Sequence, residues 1–377
     1  MPTRVRSYSK INLGLAIGPP RADGFHSLTT LYQTLALHDH VTVAAGFSAA
    51  THIRLTSNDP RVPLDGRNTA FKMIEKTLAH LGLTADVRVH LEKTLPIQGG
   101  MGAGSANAAA ALLGLEKELA LEIAGEERLQ IAAKVGSDVP LFLVGGSVVG
   151  TDRGQMVRPV PDLRIAGEAE IPCVVALPGI GVSTPQAFRD WDRLLQPPDA
   201  SDDKELHPPA IRDTLSKLSR TYTSVFPQGE TGSGFGASGI LPDPSLVPHF
   251  EQDSPEKLHG LSREQRHTTS GFEIDLAENS LLALVHTGFE NDFETVVFPQ
   301  YPLLGEVKRW LMGASALDRE STAFYAALSG SGSALFGLYR TLADAGTAQQ
   351  RLQQHGVQAI VTSTMPRALY WSNMFAE

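Results

Sequence analysis

The sequence predicts an α+β protein built in two halves. Three observations carry this expectation. Apolar segments with strand-like alternation cluster near the start and return near the end, with amphipathic helices between them. A glycine-rich loop, Gly99-Gly-Met-Gly-Ala-Gly-Ser105, runs straight into an alanine-rich helix. A stretch rich in proline, glycine, serine and charge, from about Gln196 to Thr269, interrupts the second half.

The elements follow in order. Residues 4–17 read as a strand with polar interruptions at Ser9, Lys10 and Asn12. Arg21-Ala-Asp-Gly-Phe-His26 is a turn, since Asp-Gly is a strong turn signal. Strands are expected at 28–43, 53–55 and 87–91. Between the last two, Asn68 caps a helix running through His80, with Gly82 after its end. The glycine loop and its helix come next, then a helix at 126–135 and a strand over 140–149 broken by glycines. The second half opens with a strand at 171–177 and a short helix at 185–194, with Pro185 in its first turn. A weak helical patch lies near 211–218. Helices are expected at 277–287, 302–313 and 343–354, and strands at 323–328, 333–339 and 357–362. No internal repeat is evident. The halves meet near residue 165, giving units 1–165 and 166–377, with a low-order insertion at about 196–276 that is expected to pack loosely and to supply no catalytic group.

Composition bounds the function. With 377 residues, 42% hydrophobic and 19% charged, the chain has the make-up of a soluble globular protein. A net charge of −9 argues against a nucleic-acid surface, so an anionic substrate needs local basic groups. No apolar run is long enough to span a bilayer, and the first residues have no signal-like core, so a cytoplasmic protein with no membrane partner is expected. The lone Cys173, in Ile171-Pro-Cys-Val-Val-Ala-Leu177, reads as a small core residue. His38-Asp-His40 offers alternating positions with no third ligand in view and reads as a solvated strand end.

Four segments carry chemistry. In the glycine loop, flexible backbone and a helix N-terminus converge, which makes an anion site and most often a phosphate site. No Gly-Lys-Ser/Thr closes it, so it is not a Walker loop, and its glycine spacing is not the dinucleotide fingerprint. Lys10 and Asn12 share one side of an otherwise apolar strand, whereas Lys134 lies on an amphipathic helix and reads as solvated. Asp138, in Gly136-Ser-Asp-Val-Pro140, stands between a helix end and an apolar segment. Ser329-Gly-Ser-Gly-Ser333 is a tight turn between two strands. Gly234-Phe-Gly-Ala-Ser-Gly239 formally fits a dinucleotide motif but has no strand before it and no clean helix after it.

Together and in this order, Lys10-Ile-Asn12, Gly99–Ala109, Gly136–Pro140 and Ser329–Ser333 resemble the motif set of the GHMP small-molecule kinases. The resemblance spans about residues 5–193 and 276–373. It implies the two-domain GHMP kinase fold, with an N-terminal half like the second domain of ribosomal protein S5, an α/β C-terminal half and an active site in the cleft between them. It also implies ATP and Mg²⁺. Gly99, Gly100, Met101, Gly102, Ala103, Gly104 and Ser105 would hold the ATP phosphates, with Ser105 near the metal or a phosphate oxygen, and Asn68 and Lys93 would lie near the adenosine. Asp138 would accept the proton of a substrate hydroxyl, and Lys10 would orient it and offset developing charge. Arg21-Ala-Asp-Gly-Phe-His26, Pro178-Gly-Ile-Gly-Val-Ser-Thr-Pro185 and Asn291-Asp-Phe-Glu294 resemble the members whose alcohol substrate carries a cytidine diphosphate. In that reading Phe25 and Phe188 stack on the base, His26 reads its edge, and Asn12 and Thr184 touch the alcohol portion. A homoserine- or mevalonate-type kinase, or a non-catalytic ligand-binding relative, is the alternative. The partner implied is a small molecule, with the protein a monomer or weak homodimer. The loop departs from the family's usual Gly-Leu-Gly-Gly-Gly-Ser-Ser: Ala103 replaces a glycine and Ala106 a serine. Its shape is expected to survive if Ala103 has negative φ.

Overall fold

The computed structural model describes residues 1–97, 99–195, 276–313 and 322–376. The expectations for the insertion, for the helical patch near 211–218 and for the glycine motif at 234–239 lie outside these residues.

Two sheets organise the chain. The first has seven strands. Its centre is the long antiparallel pair β1 (Thr3–Pro20) and β2 (His26–Phe47), joined by the Asp-Gly turn. β2 serves two neighbours in succession: residues 40–47 pair with β4 (Ala85–Glu92) and residues 30–33 pair with β5 (Ser147–Thr151). β3 (His52–Ser57) runs parallel to β4, and α1 (Thr69–Leu81) makes the crossover between them. β6 (Met156–Pro159) closes a hairpin with β5. As expected, Asn68 caps α1, accepting from the Ala70 N–H at 2.9 Å, and Gly82 ends it at φ 64°.

α2 (Ala103–Leu119) lies across this sheet, and Ala108–Ala111 are buried at its centre. The small side chains let the helix approach closely: a methyl at Gly114 would come within 2.6 Å of Val43. α3 (Gly125–Ala133) follows, with Lys134 exposed at its end. The strand expected over 140–149 splits. Pro140 brings no N–H to a strand ladder and instead opens a 3₁₀ turn, Pro140–Leu143, before β5 begins.

The second sheet has four antiparallel strands in the order β10 (Gln358–Ser363), β7 (Pro172–Leu177), β9 (Leu335–Leu338), β8 (Tyr325–Leu328). The α/β half expected from the sequence thus takes the form of an antiparallel sheet with helices packed on it. Its helices are α4 (Thr184–Leu195), α5 (Leu276–His286), α6 (Phe293–Gln300), α7 (Pro302–Met312) and α8 (Leu342–Gln354). Cys173 is fully buried in β7, as expected, and burial pushes its thiol far above the usual range. α9 (Arg367–Ser372) and β11 (Phe375–Ala376) carry the chain back to the first half, where β11 pairs with β1 and the Tyr370 hydroxyl donates to the Phe142 carbonyl at 2.6 Å. A division at residue 165 therefore separates the sheets but not this last segment.

The two halves share a core. Ile11, Leu13 and Leu35 of the first sheet pack with Cys173, Val175 and Phe336 of the second. β1 also reaches across directly, with Leu15 bridging to Asn291 and the Ile17 N–H donating to the Asp292 carboxylate at 2.8 Å. Burial pushes the Asp292 carboxyl up to about 6. A carboxyl raised in the folded state stabilises while protonated; the contribution is full below about pH 4 and is lost as pH rises through 6. Asp292→Asn is therefore expected to be at least as stable as wild type at pH 8, with the advantage vanishing below about pH 4. Thermal unfolding at both values tests this; a variant equally destabilised at both would contradict it.

Candidate active site

The glycine loop is held by both halves. The Lys10 N–H of β1 donates to the Met101 carbonyl at 3.0 Å, the Ser329 hydroxyl to the Gly100 carbonyl at 3.0 Å, and the Ala334 N–H to the Gly99 carbonyl at 3.2 Å. Gly100 and Gly102 have φ of 74° and 70°, where a side chain is strained. A methyl on Gly100 would lie 2.3 Å from the Ser329 carbonyl oxygen, and one on Gly102 2.8 Å from Phe142 and 3.1 Å from Lys10. Gly102 starts α2 without a side-chain cap, so the first N–H groups of the helix are left for a ligand. Ala103 is the first residue of α2 and is not among the positive-φ residues, so its substitution for glycine preserves the turn. The exposed Gly104 and half-buried Ser105 form the mouth of this anion cradle.

Beside it lies a buried polar cluster. The Lys10 ammonium, only 3% exposed, donates to Asn12 Oδ1 at 2.5 Å and stands 3.4 Å from the Asp138 carboxylate. Asn12 donates in turn to Thr30, whose hydroxyl donates to the Gly14 carbonyl. Asn12 is thus occupied in orienting Lys10. Asp138 is about one-third exposed, so it faces both the lysine and the cleft. Its second oxygen accepts from the Tyr32 hydroxyl at 3.0 Å. Burial, reinforced by Asp138, pushes the Tyr32 hydroxyl well above its usual range, so it stays a donor. Sequence reasoning missed Tyr32. The available signal was its register, directly opposite Asn12 across the β1–β2 pair.

A third group lies at the far end of β1 and β2. His26 is buried, its ring stacked on Phe188 of α4 at 4.8 Å and 14°, and its Nε2 bonds Asp192 at 2.7 Å. Phe188 meets Phe293 edge-on. Phe25 is half exposed, with the Arg153 guanidinium 4.7 Å from its ring centre. Thr184, at the start of α4, bonds Ser331 of the serine-glycine turn at 2.6 Å, and Asn291 holds that turn through the Leu328 and Gly330 carbonyls. The four motifs therefore touch one another, through Lys10–Met101, Ser329–Gly100 and Lys10–Asp138.

One expectation changes. His38-Asp-His40 is not a solvated strand end: Asp39 is fully buried and accepts from the Thr94 and Leu95 N–H groups at 2.7 Å, from Asn107 and from Lys93. His38 packs edge-on against Tyr8 and His40. No group of three or more metal-ligating side chains occurs among the described residues. Lys93 is committed to Asp39 and Asn107, and the Asn68 side chain to its cap and to the Pro63 carbonyl. These bonds tie Lys93 to α2 and Asn68 to the start of α1.

A two-sheet α+β fold thus sets an uncapped, glycine-rich helix N-terminus beside a buried lysine paired with a partly exposed aspartate. Comparison with known families gives it a place. Residues 68–146 match the GHMP kinases N terminal domain, and residues 272–358 match the GHMP kinases C terminal domain. The two matches fall one in each half of the chain and together cover less than half of it. It is 39% identical over 198 residues to the 4-diphosphocytidyl-2-C-methyl-D-erythritol kinase of a Nocardioides species, an alignment covering 52% of this chain and 64% of that one. It is 42% identical over 194 residues to the kinase of the same name from Rhodococcus jostii, covering 51% and 60%. The chain thus spans less than two thirds of the length of these relatives. A crystal structure of 4-(cytidine 5'-diphospho)-2C-methyl-D-erythritol kinase shares the fold at TM-score 0.58 and 24% identity, covering 96% of this chain and 98% of that one. A mevalonate kinase structure shares it at 0.59 and 10%, covering 96% and 99%. Among the described residues no helix is long and apolar enough to cross a membrane.

Proposed function

We propose that the protein transfers the terminal phosphoryl group of ATP to the 2-hydroxyl of 4-diphosphocytidyl-2-C-methyl-D-erythritol, a step of the non-mevalonate route to isoprenoid precursors. The observation that carries this reading is the glycine loop bonded to the Lys10 strand and to the serine-glycine turn, beside the Lys10–Asp138 pair. The relatives bearing that kinase name support it.

In this reading Gly99–Ser105 bind the ATP phosphates through backbone N–H groups and the helix dipole. Glycine at 100 and 102 lets the loop pack closely against the Ser329 carbonyl and the Phe142 ring, which a Cβ would strike. Mg²⁺, when bound, neutralises phosphate charge; it would be held mainly by the nucleotide, with Ser105 as the protein ligand. Asp138 accepts the proton of the attacking hydroxyl. Tyr32 and Lys10 fix the carboxylate from two sides, and Lys10 offsets the charge that builds on the transferring group. Phe188 and Phe25 flank the cytosine, His26 reads its edge with Nε2 held by Asp192, and Thr184 and Asn12 line the alcohol site. Incubation with ATP and the cytidyl alcohol, followed by phosphorus NMR, is expected to show one new phosphate ester at the 2-hydroxyl. No new ester, or one elsewhere, overturns the assignment.

The base site gives a second expectation. Stacking of a base on an aromatic ring is worth about 1–3 kcal/mol, roughly 5–150-fold. Phe188→Ala should raise KM for the cytidyl substrate by a factor in that range and leave KM for ATP nearly unchanged. The reverse pattern would exchange the two pockets.

A further inference from the structure

We propose that Asp39 is a positioning residue for the phosphate loop, fixing both of its ends, an inference that rests on the reading of Gly99–Ser105 as the ATP cradle. Asp39 lies in β2 and is fully buried. Its Oδ1 accepts from the Thr94 and Leu95 N–H groups, each at 2.7 Å, and these two residues lead into the loop. Its Oδ2 accepts from Asn107 Nδ2 at 3.1 Å and from the Lys93 ammonium. Asn107 follows directly on the first turn of α2, whose N–H groups the loop presents.

The hub closes on itself. The Lys93 ammonium also donates to Asn107 Oδ1 at 2.9 Å, and Asn107 Nδ2 donates to the Ser7 hydroxyl at 2.8 Å. Ser7 stands on β1 just before Lys10, whose N–H holds the loop at the Met101 carbonyl. One carboxylate therefore ties together the segment entering the loop, the helix leaving it and, through Asn107, the strand that supports its middle.

A buried carboxylate cannot exchange its donors for water, so displacing any of them leaves charge unsatisfied in a low dielectric. Apolar residues of similar volume would stabilise this place at least as well as an ion pair does. What the carboxylate supplies is direction, with donors from two segments converging on two oxygens. The glycines between those segments have little conformational preference of their own and take the shape that the fixed ends allow. Misplacing a binding group by about 1 Å can cost about a hundredfold, so the separation of those ends bears directly on the nucleotide.

The test is calorimetric titration of full-length Asp39→Ala, Asp39→Asn and Asn107→Ala with a non-hydrolysable ATP analogue and, separately, with the cytidyl alcohol. Gly100→Ala serves as the reference. Asp39→Ala should weaken binding of the ATP analogue by at least about tenfold and leave that of the cytidyl alcohol within about twofold. Asp39→Asn keeps an acceptor for the Thr94 and Leu95 N–H groups and should recover part of the loss. Asn107→Ala releases α2 alone and should weaken the ATP analogue by about fivefold; it decides the matter if Asp39→Ala does not fold. Unchanged affinity for the analogue in a folded Asn107→Ala protein overturns the proposal. So does an equal loss for both ligands, which would make the hub a support of the whole fold rather than of the loop. If Gly100→Ala alone weakens the analogue, the loop reading stands and this proposal fails. If Gly100→Ala also leaves it unchanged, the loop is not the nucleotide site and the proposal falls with that reading.

Discussion

Asp138→Asn is expected to lower kcat by about 10²–10⁴-fold while KM for ATP changes little. The carboxylate is held from two directions, by Lys10 at 3.4 Å and Tyr32 at 3.0 Å, and one-third of it faces the cleft. The substitution keeps the shape and removes the base. It also leaves the buried Lys10 ammonium without its counter-ion, so some loss of thermal stability should accompany it. Lys10→Ala should cost a comparable factor, and the double variant little more than either single one, because residues that act as a unit are not additive. Steady-state kinetics on the three variants, with thermal unfolding alongside, checks this. Turnover in Asp138→Asn close to wild type would remove Asp138 from the chemistry.

Gly100→Ala is expected to raise KM for ATP by at least about tenfold and to lower thermal stability. Ordinary residues lose roughly 1–2 kcal/mol in the left-handed region. Here the added methyl also collides with the Ser329 carbonyl at 2.3 Å, and backbone cannot rotate away as a side chain can. The loop must separate from the serine-glycine turn, breaking the contacts through which the second half fixes the phosphate cradle. Ala103→Gly is the contrasting change. It restores a glycine at a position already helical and should leave KM for ATP where it was. ADP-release kinetics at varied ATP measures both; an unaltered KM in Gly100→Ala would show that the loop does not hold the nucleotide.

Much of this could be read from the chain because the signals were local. Asn68 and Gly82 bracket α1, Pro185 opens α4, and the glycine loop meets α2 where composition changes. Elements whose stability comes from tertiary contact were not legible. α6 contains Pro299, β11 is two residues long, and α9 is held by Tyr370 and Trp371 reaching carbonyls more than two hundred residues away. The same distinction governs the site. Lys10, Asp138 and the loop lie in motifs. Tyr32 and Asp192 act through partners that only the folded chain brings near. Asp39 shows the limit most clearly: flanked by two histidines, it reads as a strand end in water, yet it is a buried hub whose donors come from two other segments, Lys93–Leu95 and Asn107. Lys93 and Asn68, placed near the adenosine by resemblance, are hydrogen-bonded to Asp39 and Asn107 and to the start of α1.

The central claim is that this cleft phosphorylates an alcohol presented on a cytidine diphosphate. The measurement that tests it most directly is ADP release by the wild-type chain with ATP and Mg²⁺, comparing 4-diphosphocytidyl-2-C-methyl-D-erythritol with homoserine and mevalonate. Turnover is expected with the cytidyl substrate, and a kcat/KM at least about a hundredfold lower with the other two, since neither has a base to stack on Phe188. Equal or greater kcat/KM on homoserine or mevalonate would contradict it.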